Sequence, residues 1–391
     1  MASSSAERDS AHAPTGDDAR ITNLDAVRGV AVLGILPMNV VLLALPDSAL
    51  YHLDLAGTAT TLDWVIGVAS PVLFDQKFMG LFSMLFGAGV AVFADRASAK
   101  ARRPIGLSLW RNALLLAIGI VHSWIWDGDI LVVYAVVAPL LLMARDLGAR
   151  ALVTLGVVVY LLPVLIALVV QPTIDASGAG LGTYWYATGP MSDGVTAFYD
   201  ADYLCRALGM MLIGIALHRR GVLAGGLDAR VYRRMAAWGL GLGLPLAAAG
   251  VVWVVAADFS PTVALVRAIP NTLGTIPATL GYLALITLWN HARESPLRAR
   301  IRAVGRMALT NYLSQSLLGV AILGAAPGDL ALTRTELLGF VAAVWALQLA
   351  WSSAWLARYR FGPAEWLWRC ATYRAWQPLR RADPSSAAEH A

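Results

Sequence analysis

Long, uninterrupted apolar runs are the feature that most restricts how this chain can fold. They lack the period-two alternation of barrel strands, and a helix needs roughly 20 such residues to cross a bilayer. The 391 residues are 58% hydrophobic and 14% charged, whereas soluble domains have about 25% charged residues. We predict an all-α, polytopic membrane bundle of about ten transmembrane helices in a lipid bilayer. The predicted spans are 24–45, 72–94, 105–124, 129–145, 150–170, 202–218, 235–257, 264–290, 307–324 and 335–357.

Basic residues predict the orientation, because cytoplasmic loops are enriched in Lys and Arg. With the N-terminus inside, all but four of the 30 Lys and Arg fall in cytoplasmic loops, tails or adjoining span ends. The four exceptions are Lys77, Arg206, Arg267 and Arg334. Both termini are therefore predicted to be cytoplasmic. The pI of 9.4 is explained by this topology and by contact with anionic lipid, so nucleic acid is not an expected partner.

Composition also predicts the domain organisation. The chain divides into a disordered cytoplasmic tail 1–20, a transmembrane bundle 21–360, an interfacial amphipathic segment 361–379 and a second disordered tail 380–391. Within the bundle, block 21–145 carries most candidate site residues, and a C-terminal block covers about 200–374. A half-polar segment, 57–70, is expected at the membrane interface before the second span. The two cysteines fall on opposite predicted sides, so neither a disulfide nor a metal site is expected.

The first candidate site is "DAVRGV" at the inner end of the first span. Arg28 lies inside the span, where a charge needs a partner. It either snorkels to lipid phosphate, with Asp25 as a helix cap, or binds an anion. Asn39 follows three turns later, where an ordinary span carries leucine. A lone asparagine often forms a hydrogen bond across helices.

The second candidate site is "HSWIWDGDILVVYA", between the third and fourth spans. Asp127 or Asp129 can cap the fourth span, and the tryptophans suit an interfacial aromatic belt. His122, however, lies one turn back inside the third span. An imidazole that reaches a carboxylate is a candidate general base or proton relay. The residues alone do not decide between a simple turn and a functional site.

Other polar residues have two interpretations each. Lys77 begins the second span, either as a snorkelling boundary residue or in a cavity. Nearby "FGAGVA" is not preceded by a strand, so Gly87 indicates helix packing and not a phosphate loop. Asn311 and Gln315 share one helix face and line either a helix contact or a hydrated cavity, with the cavity favoured.

Six blocks of this chain resemble, in order, the YeiB-like family of bacterial inner-membrane proteins. They are "LDAVRGVAVLGILPMNV", "FMGLFSMLFGAGV", "HSWIWDGDILVVYA", "GMMLIGIAL", "GRMALTNYLSQS" and "FGPAEWLWR". They extend from about Leu24 to Arg374. The resemblance implies a multi-pass protein of the bacterial cytoplasmic membrane. It implies no defined activity, because the family is largely uncharacterised.

That family is distantly similar to transmembrane acyltransferases of the acyltransferase-three and heparan glucosaminide acetyltransferase types. In those enzymes an Arg-Gly pair at the inner end of the first helix helps to hold acyl-CoA, and an embedded histidine serves acyl transfer. The resemblance implies that Arg28 and Gly29 bind acetyl-CoA or another acyl-CoA. The acyltransferase-three histidine falls at Asn39, so this sequence departs from the pattern. The base is then His122 or His52, and His122 is favoured because its block matches.

Two functions follow as hypotheses. As an acyltransferase, the protein would transfer an acyl group from cytoplasmic acyl-CoA to a cell-envelope or small-molecule acceptor at the outer face. His122 would take the acceptor proton, with Asp129 or Asp127 orienting the ring, and Asn39 would donate to the oxyanion. As a proton-coupled transporter of a small or anionic solute, it would carry protons on His122 and Asp129, with Arg28 and Asn39 along the path.

Overall fold

A computed structural model of the protein describes residues 21–99, 104–178, 180–186, 193–324 and 332–381. These residues form α-helices with short 3₁₀ turns and no β-strand. The helices are α1 (Thr22–Ala44), α2 (Thr61–Leu73), α3 (Lys77–Ala99), α4 (Pro104–Ser123), α5 (Leu131–Ala144), α6 (Ala149–Val170), α7 (Asp193–Arg219), α8 (Ala229–Ala256), α9 (Ala268–His291), α10 (Pro296–Arg306), α11 (Ala308–Ile322), α12 (Arg334–Arg358) and α13 (Pro363–Tyr373).

The predicted all-α membrane bundle is confirmed, with a correction to the number of full spans. Each of the ten predicted spans corresponds to a helix. Within the described ranges, eight segments are long and apolar enough to cross a membrane. The other two helices, α5 and α11, have only 14 and 15 residues, fewer than the roughly 20 that a crossing needs.

The chain ends differ slightly from the prediction. Residues 1–20 and 382–391, which make up nearly all of the predicted tails, lie outside the described residues. Arg380 and Arg381, however, belong to the folded part, because the segment after α13 returns to the end of α12. Tyr359 and Arg380 form an isolated antiparallel bridge, and Arg381 N donates to Arg358 O at 3.2 Å.

The half-polar segment 57–70 includes most of helix α2, which ends at Leu73, before α3 begins at Lys77. Thr60 and Asp63 form a capping box that starts α2. Between α2 and α3, Gln76 has φ 62°, a left-handed conformation that is uncommon for residues other than glycine. The chain therefore does not run as one helix from α2 into α3, and the break leaves Gln76 and its neighbours inside the bundle.

Helix α3 is central, with contacts to α1, α4, α5, α7 and α9. It approaches α7 closely at Gly87, where an added Cβ would overlap the backbone of Met211. Glycine at a helix crossing lets two backbones approach in this way. The interpretation of "FGAGVA" as a packing motif is therefore confirmed.

The orientation of the bundle leads to a labelling prediction. We call the end that carries Arg28 the inner end, because it is predicted to face the cytoplasm, and the opposite end the outer end. In a variant without the two native cysteines, single cysteines at Asp146 and Glu294 should be protected from a membrane-impermeant maleimide on intact cells. A cysteine at Ser177 should react. All three native side chains are exposed, with Asp146 at 85% and Glu294 at 60%, so protection would reflect the membrane. Labelling of Asp146 and Ser177 positions alike would contradict the topology.

Candidate functional site

A buried histidine–aspartate pair lies where α4 ends and α5 begins. His122 Nδ1 and Asp129 Oδ1 are 2.7 Å apart, and the two side chains are 3% and 1% exposed. The second carboxylate oxygen accepts from Val132 N at 2.9 Å, so Asp129 also satisfies the first turn of α5. When Nδ1 donates to the carboxylate, the neutral ring carries its lone pair on Nε2. Asp127 is exposed, which leaves Asp129 as the partner of His122.

Tyr312 of α11 contacts both members of the histidine–aspartate pair. Its hydroxyl accepts from Ile130 N at 3.2 Å and donates to Asp129 Oδ1 at 3.4 Å. Its ring lies 5.4 Å from the imidazole. His122 Nε2 and Trp126 Nε1 are buried without a hydrogen-bond partner among the described residues, and these two rings are 6.4 Å apart. The pair is thus held in one orientation, with two polar atoms left for a ligand.

A cavity of about 360 Å³ lies at the inner end of the bundle. Four guanidinium groups line it: Arg28, Arg111, Arg306 and Arg369. The rest of its wall is largely aromatic and aliphatic, and includes Phe82, Phe86, Phe93, Leu115, Tyr134 and Tyr312. Because Tyr312 also contacts Asp129, the cavity ends at the wall of the histidine–aspartate pair.

Two of these arginines are fixed by their neighbours. The Arg111 guanidinium carbon lies 4.5 Å from the ring centroid of Phe93 and 4.4 Å from that of Trp368, which is a double cation–π contact. Arg28 pairs with Asp25 at 3.2 Å, and its side chain remains 32% exposed. Ring stacking covers the faces of a guanidinium and leaves its N–H edge for an anion.

Helix α13, part of the predicted interfacial segment, forms one wall of the cavity. Glu365 Oε1 accepts from Leu309 N at 2.7 Å and Thr310 N at 3.1 Å, so it caps α11. Burial raises the pKa of Glu365. Trp368 Nε1 donates to Arg111 O at 3.0 Å. The segment is therefore bound to the bundle, while its position at a membrane interface stays a prediction.

Gly29 has a packing role that the resemblance did not imply. The cavity wall includes Arg28 but neither Gly29 nor Asp25. A Cβ added at Gly29 would overlap the Ile301 carbonyl oxygen, and one added at Gly305 would overlap the Asp25 carbonyl oxygen. The two glycines thus allow α1 and α10 to cross in backbone contact, and this crossing places Arg28 against the cavity.

Gly29→Ala is expected to destabilise the protein. The added methyl group meets backbone atoms that cannot move aside, and overpacking of this kind costs about 1–3 kcal/mol. Gly339→Ala is the matched control, because a Cβ there meets no atom within 4 Å. Denaturation by SDS in mixed micelles would measure both. Equal stability of the two variants would contradict the close crossing.

Two of the predicted site residues lie away from the pair. Asn39 is partly buried and is absent from the described wall of the cavity. His52 stacks on Phe259, with ring centroids 4.9 Å apart, and lies 5.5 Å from Trp185. Burial lowers the pKa of His52. The rings beside His122 are those of Trp126 and Tyr312. The two histidines therefore lie in separate aromatic clusters.

The amides of α11 form helix contacts, which was the less favoured of the two sequence interpretations. Asn311 Nδ2 donates to Ser352 Oγ at 3.0 Å. Gln315 Nε2 donates to Gln348 Oε1 at 3.0 Å and to Val32 O at 3.1 Å. These bonds join α11 to α12 and α1. Amides bury favourably when they are paired in this way, which favours the helix-contact interpretation, although Gln315 Oε1 is buried without a partner among the described residues.

Lys77 is not a snorkelling residue, because its side chain is fully buried. Its Nζ donates to Asn271 Oδ1 at 2.5 Å and to Pro71 O at 3.1 Å. Asn271 Nδ2 in turn donates to Asp75 Oδ2 at 2.8 Å. The lysine therefore belongs to a buried polar network in the outer half of the bundle.

Two candidate site residues, Arg111 and Tyr312, were not predicted from the sequence. Arg111 lies inside a predicted span, and a charge inside a span is also what makes Arg28 a candidate. The same rule identifies Arg111 from the sequence. Tyr312 lies in the block "GRMALTNYLSQS", where only the amides drew attention. Its contact with Asp129 spans 183 residues of chain, and no local pattern predicts such a pairing.

Comparisons with known proteins identify the family to which this chain belongs. A family model described as "Protein of unknown function (DUF418)" matches residues 217–375. The chain is 34% identical to "Uncharacterized protein YeiB" of Escherichia coli (strain K12), covering 92% of this chain and 98% of that protein. It is 28% identical to "Uncharacterized protein YxaH" of Bacillus subtilis (strain 168), covering 94% and 98%. No solved structure matches the chain. Near-complete coverage at this identity confirms the resemblance noted from the sequence blocks, and the chain belongs to the YeiB-like family of membrane proteins.

Proposed function

We propose that the protein is a membrane-bound acyltransferase that uses acyl-CoA. One observation carries this proposal: an arginine-lined cavity ends at Tyr312, whose hydroxyl contacts the Asp129 of a buried histidine–aspartate pair. Tyr312 is thus shared by a candidate phosphate-binding cavity and a candidate base, which supports the proposal. We further propose that the protein lies in the bacterial cytoplasmic membrane, with the arginines on the cytoplasmic side.

The cavity suits the donor in charge and polarity. Arg28, Arg111, Arg306 and Arg369 stand where anionic phosphates would bind, and guanidinium groups recognise phosphate through paired hydrogen bonds. The deeper aromatic wall suits an uncharged thioester arm. At about 360 Å³, the cavity falls within the 300–1,000 Å³ that is usual for ligand sites. It would hold the acyl end of the donor and leave the nucleotide near the surface.

The chemistry of the pair fits general-base catalysis. Acyl-CoA supplies the acyl group as a thioester, whose C–S bond breaks as the acceptor oxygen bonds to the carbonyl carbon. His122 Nε2 would accept the acceptor proton and return it to the thiolate sulfur, with Asp129 orienting the ring through Nδ1. The unpartnered His122 Nε2 and Trp126 Nε1 would hold an acceptor hydroxyl between them.

Thiol release tests this proposal. The purified protein is incubated with acetyl-CoA and a panel of sugar and amine acceptors, and free CoA thiol is measured with a chromogenic disulfide. Release above the level of the His122→Ala variant supports acyl transfer or slow transfer to water. Absence of release with every acceptor, in protein that binds the donor, would oppose the proposal.

A proton-coupled transporter is the second candidate, and the buried charges of the outer half favour it. Arg206 Nε and Asp202 Oδ2 are 2.5 Å apart and buried, and the helix break at Gln76 lies beside them, since Arg206 donates to Gln76 Oε1 at 2.7 Å. Many transporters place broken helices and buried charges at their substrate sites. Proton-driven uptake of a small anion by liposomes containing the protein, without thiol release, would favour this function.

A further inference from the structure

The four basic residues that the cytoplasmic loops did not account for are all buried. Lys77, Arg206, Arg267 and Arg334 are 0%, 3%, 7% and 3% exposed. Burying a cation is costly unless a partner compensates the charge or hydrogen bonds satisfy it. The polar partners of each cation therefore show which of the four have a purely structural role.

Three of the four have polar partners. Arg206 is paired with Asp202, and Lys77 reaches Asp75 through Asn271. Arg334 donates to backbone oxygens of the segment after α1, including Ala56 O at 3.4 Å. These three charges are accounted for by the fold.

Arg267, which directly precedes α9, is different. Its guanidinium carbon lies 3.5 Å from the ring centroid of Tyr51 and 5.2 Å from that of Trp185. No carboxylate of the described chain pairs with it, and its buried Nε has no hydrogen-bond partner there. The aromatic rings cover the faces of the guanidinium, so its N–H edge is the part that remains for an acceptor.

The surroundings of Arg267 provide space beside its guanidinium group. Arg267 and Tyr51 line two small cavities of about 20 and 40 Å³, and Asp75 also lines both. A cavity holds a water molecule from about 10–15 Å³, so these spaces have room for a few waters or one small ion. Of the two carboxylates in this network, Asp202 pairs with Arg206 and Asp75 accepts from Asn271, and neither pairs with Arg267.

We infer that Arg267 is the centre of a binding site for a small monovalent anion in the outer half of the bundle. The planar guanidinium suits a small carboxylate, and a halide would satisfy the charge alone. The volumes of the two cavities, about 20 and 40 Å³, limit the ligand to a few atoms. This site is separate from the arginine-lined cavity and does not depend on acyl transfer.

Thermal unfolding with different anions tests the site. The purified full-length protein is heated in sodium formate, sodium chloride or sodium gluconate at equal ionic strength. Formate or chloride should raise the unfolding temperature saturably, whereas gluconate is too large to enter. Arg267→Gln should abolish that rise. Arg220→Gln, which removes an exposed arginine, should leave it unchanged.

Arg267→Lys keeps the inference testable if the glutamine variant does not fold. Lysine retains the charge and loses the planar fork, so the half-saturating anion concentration should rise by about tenfold or more, the effect of one lost charged hydrogen bond. The absence of a saturable rise in the unaltered protein would overturn the inference. An unchanged half-saturating concentration in Arg267→Lys would overturn it equally.

Discussion

His122→Ala is expected to lower acyl transfer by roughly 10²–10⁴-fold, the usual contribution of a general base. The variant should still insert, fold and bind donor, because His122 lies at the outer end of α4 and the cavity arginines lie at the inner end. The rate of CoA thiol release under saturating acetyl-CoA would measure the effect.

His122→Gln separates catalysis from structure. Glutamine can still form a hydrogen bond to Asp129, but it cannot take up and release a proton near neutral pH. It should therefore be as slow as His122→Ala. His291→Gln, which changes an exposed histidine, is the matched control and should have full activity. Full activity in His122→Gln would make His122 a structural residue.

The double change of Arg28 and Arg111 to glutamine is expected to weaken acetyl-CoA binding by about 100-fold or more. Each charged hydrogen bond contributes about 1.5–3 kcal/mol, and one decade of affinity is about 1.4 kcal/mol. Lysine at both positions should restore part of the affinity, since the charge returns without the fork. Isothermal titration of the protein in nanodiscs would give the dissociation constants.

The control for this experiment is Arg300→Gln. Arg300 is an exposed arginine of α10 at the same end of the bundle, and it is absent from the described cavity wall. It should bind acetyl-CoA as the unaltered protein does. An equal loss of affinity in Arg300→Gln would show that the arginines act through general surface charge and not through a site.

Much of the fold was predictable because burial in lipid imposes a simple rule. Each spanning segment must satisfy its own backbone and present apolar side chains, and the positions of the ten helices that match the predicted spans follow from that. An apolar run shows where a helix lies but not how many of its residues are helical. This is why the short α5 and α11 were predicted as full spans.

The candidate site was predictable only in part. His122 stood out because a turn between helices did not explain it. Its choice of Asp129 over Asp127 depends on the geometry of the turn, which spacing does not determine. The contributions of Tyr312 and α13 depend on contacts between distant parts of the chain. The aromatic neighbours of Arg267, Tyr51 and Trp185, also come from distant parts of the chain.

The most direct test of the central claim is whether acetyl-CoA binds inside the arginine-lined cavity. Gly89 lines this cavity, and a Cβ added there meets no atom within 4 Å, so Gly89→Phe should fold with its ring in that space. Gly241→Phe is the control, because a Cβ at Gly241 also meets open space and the residue does not line the cavity. We predict saturable acetyl-CoA binding, measured by isothermal titration, in the unaltered protein and in Gly241→Phe, and its loss in Gly89→Phe. No binding to the unaltered protein, or equal binding to folded Gly89→Phe, would contradict the account.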